Sequence, residues 1–310
     1  MARATGADGV GWALFVYNLT MISRHSACLL VMLYAGLLTF PIALLPQQPA
    51  PPASAARILL LPKRIVSGET ATVAVLDVNG RLTPGVTVNF SNGDHLVTNV
   101  TGRALFVAPL NPGVIYATIA PQPTRVYTTI LTPSEAGSSS LQVSSVPRFA
   151  SLADRFQLSG SGFCGEADAN AVRVAGKPAL VLASSPVSLV ALPPAELEPG
   201  PAMVDVACAK RSTPPFSITF LALTLDADSS PLAPGEHRTL TVHVSGTVAK
   251  VTLEARNLSP KVAQLTGGNP AQVSSNGGAQ NAAQFELIGL ERGNFLISVR
   301  LVPMSVPLHH

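Results

Sequence analysis

Two cysteines are the residues of this 310-residue chain whose type and spacing most directly suggest chemistry. Cys164 and Cys208 lie 44 residues apart in one small module, and the third cysteine, Cys28, lies in an apolar N-terminal stretch. In an oxidising compartment this arrangement favours a disulfide. By closing the loop, such a bond would raise the free energy of the unfolded chain by roughly 4 kcal/mol. Two independent buried thiols are the alternative. A two-cysteine metal site is disfavoured, because no histidine lies near either cysteine in the sequence.

The histidines and carboxylates do not form a recognisable catalytic pattern. His237 and His243 fall on one face of a predicted strand, but six residues of strand span roughly 20 Å, too far to share a metal. Three acidic pairs could act as acid and base or hold Ca²⁺, although solvated loop charges explain them more simply. These pairs are Glu166 with Asp168, Glu196 with Glu198, and Asp226 with Asp228. Since no nucleophile elbow, phosphate loop, zinc spacing or dinucleotide motif occurs, we predict neither an enzyme nor a cofactor.

The amino-acid composition limits which fold classes and which binding partners are plausible. Glycine and proline number 24 and 27, 47% of the chain is apolar and only 12% is charged, which is typical of a turn-rich β protein. Basic residues exceed acidic ones by 20 to 17, a surplus too small to predict nucleic-acid binding. Aromatic residues are few, and the single tryptophan, Trp12, precedes the apolar stretch. We therefore expect no exposed aromatic platform of the kind that dedicated sugar binders use.

The N-terminal residues 1–56 are predicted to direct export. From Ala27 to Leu45 the chain has 19 residues without a charge, preceded by Arg24 and followed by a Pro-rich stretch. This length just reaches that of a membrane span, and the basic flank predicts that the rest of the chain lies outside the cytoplasm. Ala53-Ser54-Ala55 has the small-x-small pattern of a signal-peptidase site. A cleaved signal peptide and an uncleaved membrane anchor both remain open.

Beyond residue 56 the sequence predicts an all-β fold of tandem Ig-like β-sandwiches. Short runs rich in Val, Ile, Leu, Thr and Phe alternate with Gly, Pro and Asn about every ten residues. We predict three modules, at 57–132, 141–215 and 216–303, with a Pro- and Ser-rich linker at 133–140. Modules joined end to end by such linkers would form a rod in which each one folds alone.

The first module carries five segments in a characteristic order. They are Val66 to Val73, Asp77 to Gly80, Pro84 to Val88, Thr101 to Ala104, and Pro112-Gly113. This order resembles the bacterial Ig-like domains of invasin type over residues 57–120. Strands are predicted at 57–61, 70–76, 86–90, 103–107 and 114–120.

The second module carries the sharpest family resemblance. Its segments are Leu158 to Phe163, Asn170 to Ala179, Ser184 to Val190, and Pro199 to Val206. This series resembles an IPT/TIG domain. The residue types are consistent with such a β module. Glycines let the chain turn after Leu158, and Phe163 can fill the core beneath that turn. Pro199-Gly200 can make a tight hairpin.

The third module repeats the layout of the first. Gly68-Glu69 and Gly235-Glu236 are predicted to open equivalent strands. Later strands are predicted at 248–255, 283–287 and 294–301. The Gly-, Asn- and Ser-rich segment 266–281 is predicted to be a mobile loop, and its Asn269, Asn276 and Asn281 are the candidate binding residues.

These features favour a noncatalytic, extracytoplasmic spacer or adhesion protein of the bacterial cell surface. Its partner would be an unknown envelope or extracellular protein or polysaccharide, and also the membrane through Ala27 to Leu45 if that segment is uncleaved. The alternative is a carbohydrate- or protein-recognition accessory module of a secreted enzyme system. A degenerate hydrolase is the third and weakest interpretation.

Overall fold

The computed structural model describes residues 13–14, 57–77, 79–120, 124–226, 230–273 and 282–308. These residues are nearly all β, which confirms the predicted fold class. No helix in the described part of the chain is long and apolar enough to cross a membrane. The predicted signal or anchor segment, Ala27 to Leu45, lies outside the described residues.

The strands are numbered β1 to β25 along the chain, and β1 is the two-residue strand Ala13–Leu14. The first module holds β2 (Ile58–Leu60), β3 (Arg64–Val66), β4 (Thr70–Leu76), β5 (Thr87–Phe90), β6 (His95–Val97), β7 (Arg103–Val107), β8 (Gly113–Ile119) and β9 (Val126–Leu131). A short helix, α1 (Pro133–Ala136), follows. The second module holds β10 (Gln142–Pro147), β11 (Phe149–Ser151), β12 (Phe156–Ser161), a 3₁₀ turn (Ala167–Ala169), β13 (Asn170–Val174), β14 (Lys177–Ser185), β15 (Ser188–Leu192), β16 (Gly200–Cys208) and β17 (Arg211–Ser212). The remaining strands are β18 (Phe216–Asp226), β19 (His237–Ser245), β20 (Val251–Asn257), β21 (Ala263–Gly267), β22 (Ala271–Val273), β23 (Ala282–Gly289), β24 (Ile297–Leu301) and β25 (Ser305–Pro307).

The first module is a sandwich of two sheets. One sheet has the order β3-β9-β8-β5-β6, and the other pairs β4 with β2 and β7. Alternate residues of β8 are buried, so one face of its sheet packs inward while the other is wet. At the centre the rings of Phe90 and Phe106 stack with centroids 4.2 Å apart.

The first and third modules share one corner, as the sequence predicts. Gly68 N–H donates to Ala108 C=O, and Ala108 N–H donates to Glu69 C=O. In the third module, Gly235 and Glu236 make the same two bonds with Gly289. Both glycines have φ near +75°, which other residues rarely adopt. The repeated Gly-Glu pair therefore marks equivalent starts of β4 and β19.

In the second module, the sheet containing β10, β12 and β15 packs against the sheet containing β13, β16 and β18, with β14 pairing in both. Phe163 is buried in this core, as predicted. Gly162 turns the chain with φ +68°, and a Cβ there would come within 2.5 Å of the Ser140 carbonyl oxygen. The turn after Leu158 therefore requires glycine.

The boundary between the second and third modules differs from the prediction at residues 215 and 216. Strand β18 begins at Phe216 and runs without a break from the second module into the third. Phe216 to Phe220 pair with β16 and pack in the second core, whereas Ala222 to Asp226 pair with β19 of the third module. A buried apolar strand has the same local pattern in either sandwich, so the sequence could not show that one strand serves both.

The segment 133–140, predicted as a linker, has local structure and contacts of its own. Thr132 caps α1, because its hydroxyl accepts from Glu135 N–H while the Glu135 carboxylate accepts from Thr132 N–H. The Ser140 carbonyl accepts from the Ser161 hydroxyl at 2.9 Å, and Arg211 Nη1 donates to the Ser139 carbonyl at 2.8 Å. Both ends of this segment are therefore tied to folded structure.

The first module packs directly on the second, a contact beyond the linker that was expected to join them. Strands β4 and β14 pair at Thr72 and Ser184, both of which are buried. Thr72 and Ser184 each donate a hydroxyl hydrogen bond to the Gly165 carbonyl, at 2.8 and 2.7 Å. An apolar cluster joins the two modules, formed by Ile58, Leu60, Ala74, Leu76, Leu182, Ala183 and Val190. Burial of this surface couples the two modules.

The third module closes around β18-β19-β23-β21 on one side and β24-β20-β22 on the other, with β1 pairing β24. Strand β25 returns to pair with β10 of the second module. The predicted loop 266–281 is shorter than expected, because its first residues end β21 and Ala271–Val273 forms β22 against β20. Isolated Gly and Asn residues at strand ends led to the overlong prediction.

Candidate binding cleft

A cavity of about 190 Å³ lies where residues from all three modules meet. We call it the junction cavity, and its lining includes Lys63, Phe149, Asp154, Arg155, Arg300 and Ser305. Sequence reasoning missed this set, because its members come from segments up to 242 residues apart. A cavity at a junction of domains is a common place for ligand binding.

The chain between β11 and β12 positions the two central charged residues. Strand β11 pairs in parallel with β18, and Leu152 N–H donates to the Leu221 carbonyl at 2.9 Å. The turn is then closed by Asp154 N–H, which donates to the Ser151 carbonyl. These bonds hold Asp154 and Arg155 against the module boundary.

Asp154 and Arg155 form a buried charge pair. Their side chains are 9% and 7% exposed, and Arg155 Nη1 lies 3.7 Å from Asp154 Oδ1. Asp154 Oδ1 also accepts from Arg155 N–H at 2.7 Å. Burial nevertheless raises the pKa of Asp154 to about 6, against the opposing effects of the Arg155 charge and this N–H.

Arg155 keeps an unused hydrogen-bonding group. Its Nη2 is buried and has no hydrogen-bond partner among the described residues. A buried charged donor without an acceptor is costly, and most native proteins supply one. The guanidinium is therefore equipped to bind an acceptor that the chain itself does not provide.

Two further cations line the junction cavity. Lys63 is exposed to solvent, and partial desolvation lowers its pKa. Arg300 donates from Nε to Glu254 Oε2 at 2.9 Å and makes a second bond to the same oxygen from Nη2. Glu254 does not line the cavity, so the lining itself holds three cations and one carboxylate.

The predicted cysteine pair is bonded. Cys164 and Cys208 form a disulfide with their Cα atoms 5.7 Å apart. Cys208 lies in the second core, and Cys164 packs against it. Asn170 fixes the Cys164 backbone, accepting from its N–H at 2.9 Å and donating to its carbonyl at 2.8 Å. The disulfide therefore joins the turn after Phe163 to the end of β16.

The candidate binding asparagines are only partly described. Asn276 and Asn281 lie outside the described residues, so their role stays a prediction. Asn269 accepts from Ala255 N–H at 2.9 Å and donates to the Ala255 carbonyl at 2.7 Å. Its amide is therefore engaged in holding the chain against β20.

Among the described residues, no histidine and no member of the three acidic pairs lines the junction cavity. Asp168 pairs with Arg103, and Glu196 lies 3.9 Å from Lys177. His237 begins β19, and His243 lies six residues further along the same strand. Within the described ranges, no three His, Cys, Asp or Glu residues are grouped to hold a metal ion. Asp228 lies outside those ranges.

A pair of tyrosines lies on the surface of the first module, with the two rings edge-to-face. On the first module Tyr116 of β8 pairs with Tyr127 of β9, with ring centroids 6.1 Å apart. Tyr127 is 60% exposed, and the Arg125 guanidinium lies 4.7 Å from the Tyr116 ring centroid. We call Tyr116, Tyr127 and Arg125 the tyrosine surface. The register between β8 and β9 brings the two tyrosines together, although they lie 11 residues apart in the sequence.

Comparisons with known proteins give weak likenesses. No protein-family model matches the chain, and no curated protein matches it. SGBP-B of the Bacteroides ovatus mixed-linkage glucan utilization locus, solved with a mixed-linkage heptasaccharide, is 12% identical. That match has a TM-score of 0.32 and covers 77% of this chain and 74% of the other.

Two further solved structures are similarly distant. The Escherichia coli adhesin FdeC is 15% identical with a TM-score of 0.20, over 83% of this chain and 97% of that chain. The extracellular region of plexin A4 is 10% identical with a TM-score of 0.30, over 83% of this chain and 28% of that chain. All three scores are below 0.5, so none of these likenesses carries a functional argument.

Proposed function

We propose that the chain is a noncatalytic, extracytoplasmic binding protein of the bacterial cell surface that also serves as a spacer. The Cys164–Cys208 disulfide carries this proposal, because structural disulfides persist in oxidising compartments. The expected partner is an envelope or extracellular protein or polysaccharide, and not a nucleic acid.

The packing between modules supports a rigid scaffold in this role. The cluster around Leu182 and the bonds from Thr72 and Ser184 to Gly165 join the first two modules, and β18 runs from the second into the third. Such a scaffold can hold a binding surface at a fixed distance from its attachment. We propose invasin-type Ig-like and IPT/TIG ancestry for the first two modules, on the sequence segments described above.

A carbohydrate-recognition role is the second candidate, and the tyrosine surface favours it. Sugar rings stack on exposed aromatic faces, and hydroxyl groups need polar partners nearby. Next to Tyr116 on the same sheet, β8 pairs with β5, where the Asn89 Oδ1 lies 2.7 Å from His95 Nδ1. An aromatic pair beside polar side chains suits a neutral glycan.

Binding to isolated envelope polymers tests these roles. The full chain should retain a polysaccharide fraction or an envelope protein on a column. Tyr127→Ala should weaken glycan retention about tenfold, while Tyr127→Phe should largely preserve it, because stacking needs the ring rather than the hydroxyl. Equal retention by Tyr127→Ala would reject the tyrosine surface as the glycan site.

Export is tested separately by cell fractionation. We expect residues 57–310 outside the cytoplasm, with a mature N-terminus near Ala56 if the leader is cleaved. A full-length chain confined to the cytosol, with free thiols at Cys164 and Cys208, would contradict the proposed compartment.

A further inference from the structure

We propose that the junction cavity binds one carboxylate-bearing sugar unit, such as a uronic acid, with Arg155 and Lys63 receiving the carboxylate. The inference adds a second site and a ligand class to the proposed function, and it does not depend on the tyrosine surface.

Charge and hydrogen bonding favour an anion. Three of the four charged side chains that line the cavity are cationic, and the Arg155 guanidinium is 7% exposed with its Nη2 unpartnered among the described residues. Arg155 lines the cavity, so a carboxylate bound there is the proposed acceptor for its Nη2. Charge-assisted bonds of this kind are about twice as strong as neutral ones.

Lys63 supplies a second cation at the solvent side. Neither an ion pair nor a side-chain hydrogen bond joins its ammonium to another described residue, whereas Arg300 is engaged by Glu254. Partial desolvation near Lys63 makes an anionic partner more favourable there than in bulk water. Entry of a carboxylate would therefore compensate both Lys63 and Arg155.

Size and polarity favour a single sugar unit. The cavity has a volume of about 190 Å³. This volume is smaller than typical pockets for drug-sized ligands, so an oligosaccharide would place only one unit inside. Phe149 offers an apolar ring, and Ser145, Ser159 and Ser305 offer polar groups for hydroxyls.

Calorimetric titration of the full chain tests the proposal. The probes are glucuronate, neutral glucose, inorganic phosphate and a galacturonate trimer. We expect glucuronate to bind. Glucose and phosphate should each bind at least about tenfold more weakly, because glucose lacks the carboxylate charge and phosphate lacks the sugar hydroxyls that the site is proposed to contact. Tighter binding of the trimer would indicate a polymer as the source, and binding of glucuronate alone would indicate a free acid.

Matched variants locate the site. Arg155→Gln and Lys63→Gln should each weaken glucuronate binding about tenfold, whereas Lys177→Gln, at a lysine that does not line the cavity, should leave it unchanged. Lys63 is exposed, so its variant keeps the test valid if Arg155→Gln fails to fold. No glucuronate binding, equal binding of glucose or phosphate, or unchanged binding by Lys63→Gln would each overturn the proposal.

Discussion

Arg103 Nη1 donates to Asp168 Oδ1 at 2.8 Å, joining the first module to the second. The same guanidinium donates from Nη2 to the Val181 carbonyl of β14. The arginine side chain is 7% exposed but the aspartate is 75% exposed. Loss of the buried arginine should therefore destabilise the fold more than loss of the exposed aspartate.

Substitution of Arg103 should lower the free energy of unfolding more than substitution of Asp168. Arg103→Gln should lower the free energy of unfolding by about 1–3 kcal/mol, because the buried Val181 carbonyl loses a charged donor. Asp168→Asn should cost less than about 1 kcal/mol, since its carboxylate is mostly solvated. Denaturant unfolding of both variants measures the difference, and a larger loss from Asp168→Asn would contradict the assignment.

Removal of the disulfide should destabilise the second module. The Cys164→Ala/Cys208→Ala variant is expected to lose roughly 2–4 kcal/mol in its free energy of unfolding, since the 44-residue loop is no longer closed. Wild-type protein in reductant should behave like the variant, and the variant itself should not respond to reductant. Alkylation of both thiols in protein from its native compartment would reject the bond.

Asp154 should make stability depend on pH. Its pKa rises from an ordinary 3.8 to about 6 in the folded state, so the folded protein binds its proton more tightly than the unfolded chain. This group's contribution is present below about pH 4, falls as the pH rises to about 6, and is lost above it. The total is up to about 3 kcal/mol.

Asp154→Asn tests that dependence, because asparagine is neutral at every pH and can keep the oxygen that accepts from Arg155 N–H. The variant should be more stable than wild type at pH 7, and the difference should shrink toward pH 4. Arg155, Lys63 and Arg300 line the same cavity. Exposed Glu198→Gln is the control, and an unchanged pH slope in Asp154→Asn would disprove the effect.

Asn269 is expected to act structurally in the third module. Asn269→Ala removes both bonds to the Ala255 backbone and should cost about 1–3 kcal/mol in unfolding free energy. Asn276→Ala and Asn281→Ala serve as comparison variants for the binding-loop prediction. Loss of partner retention in these two without loss of stability would support that prediction, and unchanged retention would reject it.

Much of the fold could be predicted from local sequence. Strands β4 and β7 match their predicted limits, 70–76 and 103–107, because alternating apolar residues and nearby turn residues act over a few positions. The Gly68-Glu69 and Gly235-Glu236 corners were recognisable for the same reason. The isolation of Cys164 and Cys208 was likewise enough to predict their bond.

Contacts between distant segments decided the rest. Residues 216–226 form one strand serving two cores, and the predicted linker at 133–140 is held by Ser161 and Arg211, which no local pattern reveals. The sequence by itself determined an all-β chain with its corners and its cysteine pair, because these depend on backbone preference and side-chain alternation. Only the tertiary structure decided the module packing, the tyrosine surface and the junction cavity, because strand register and the burial of Arg155 depend on residues far apart in the chain.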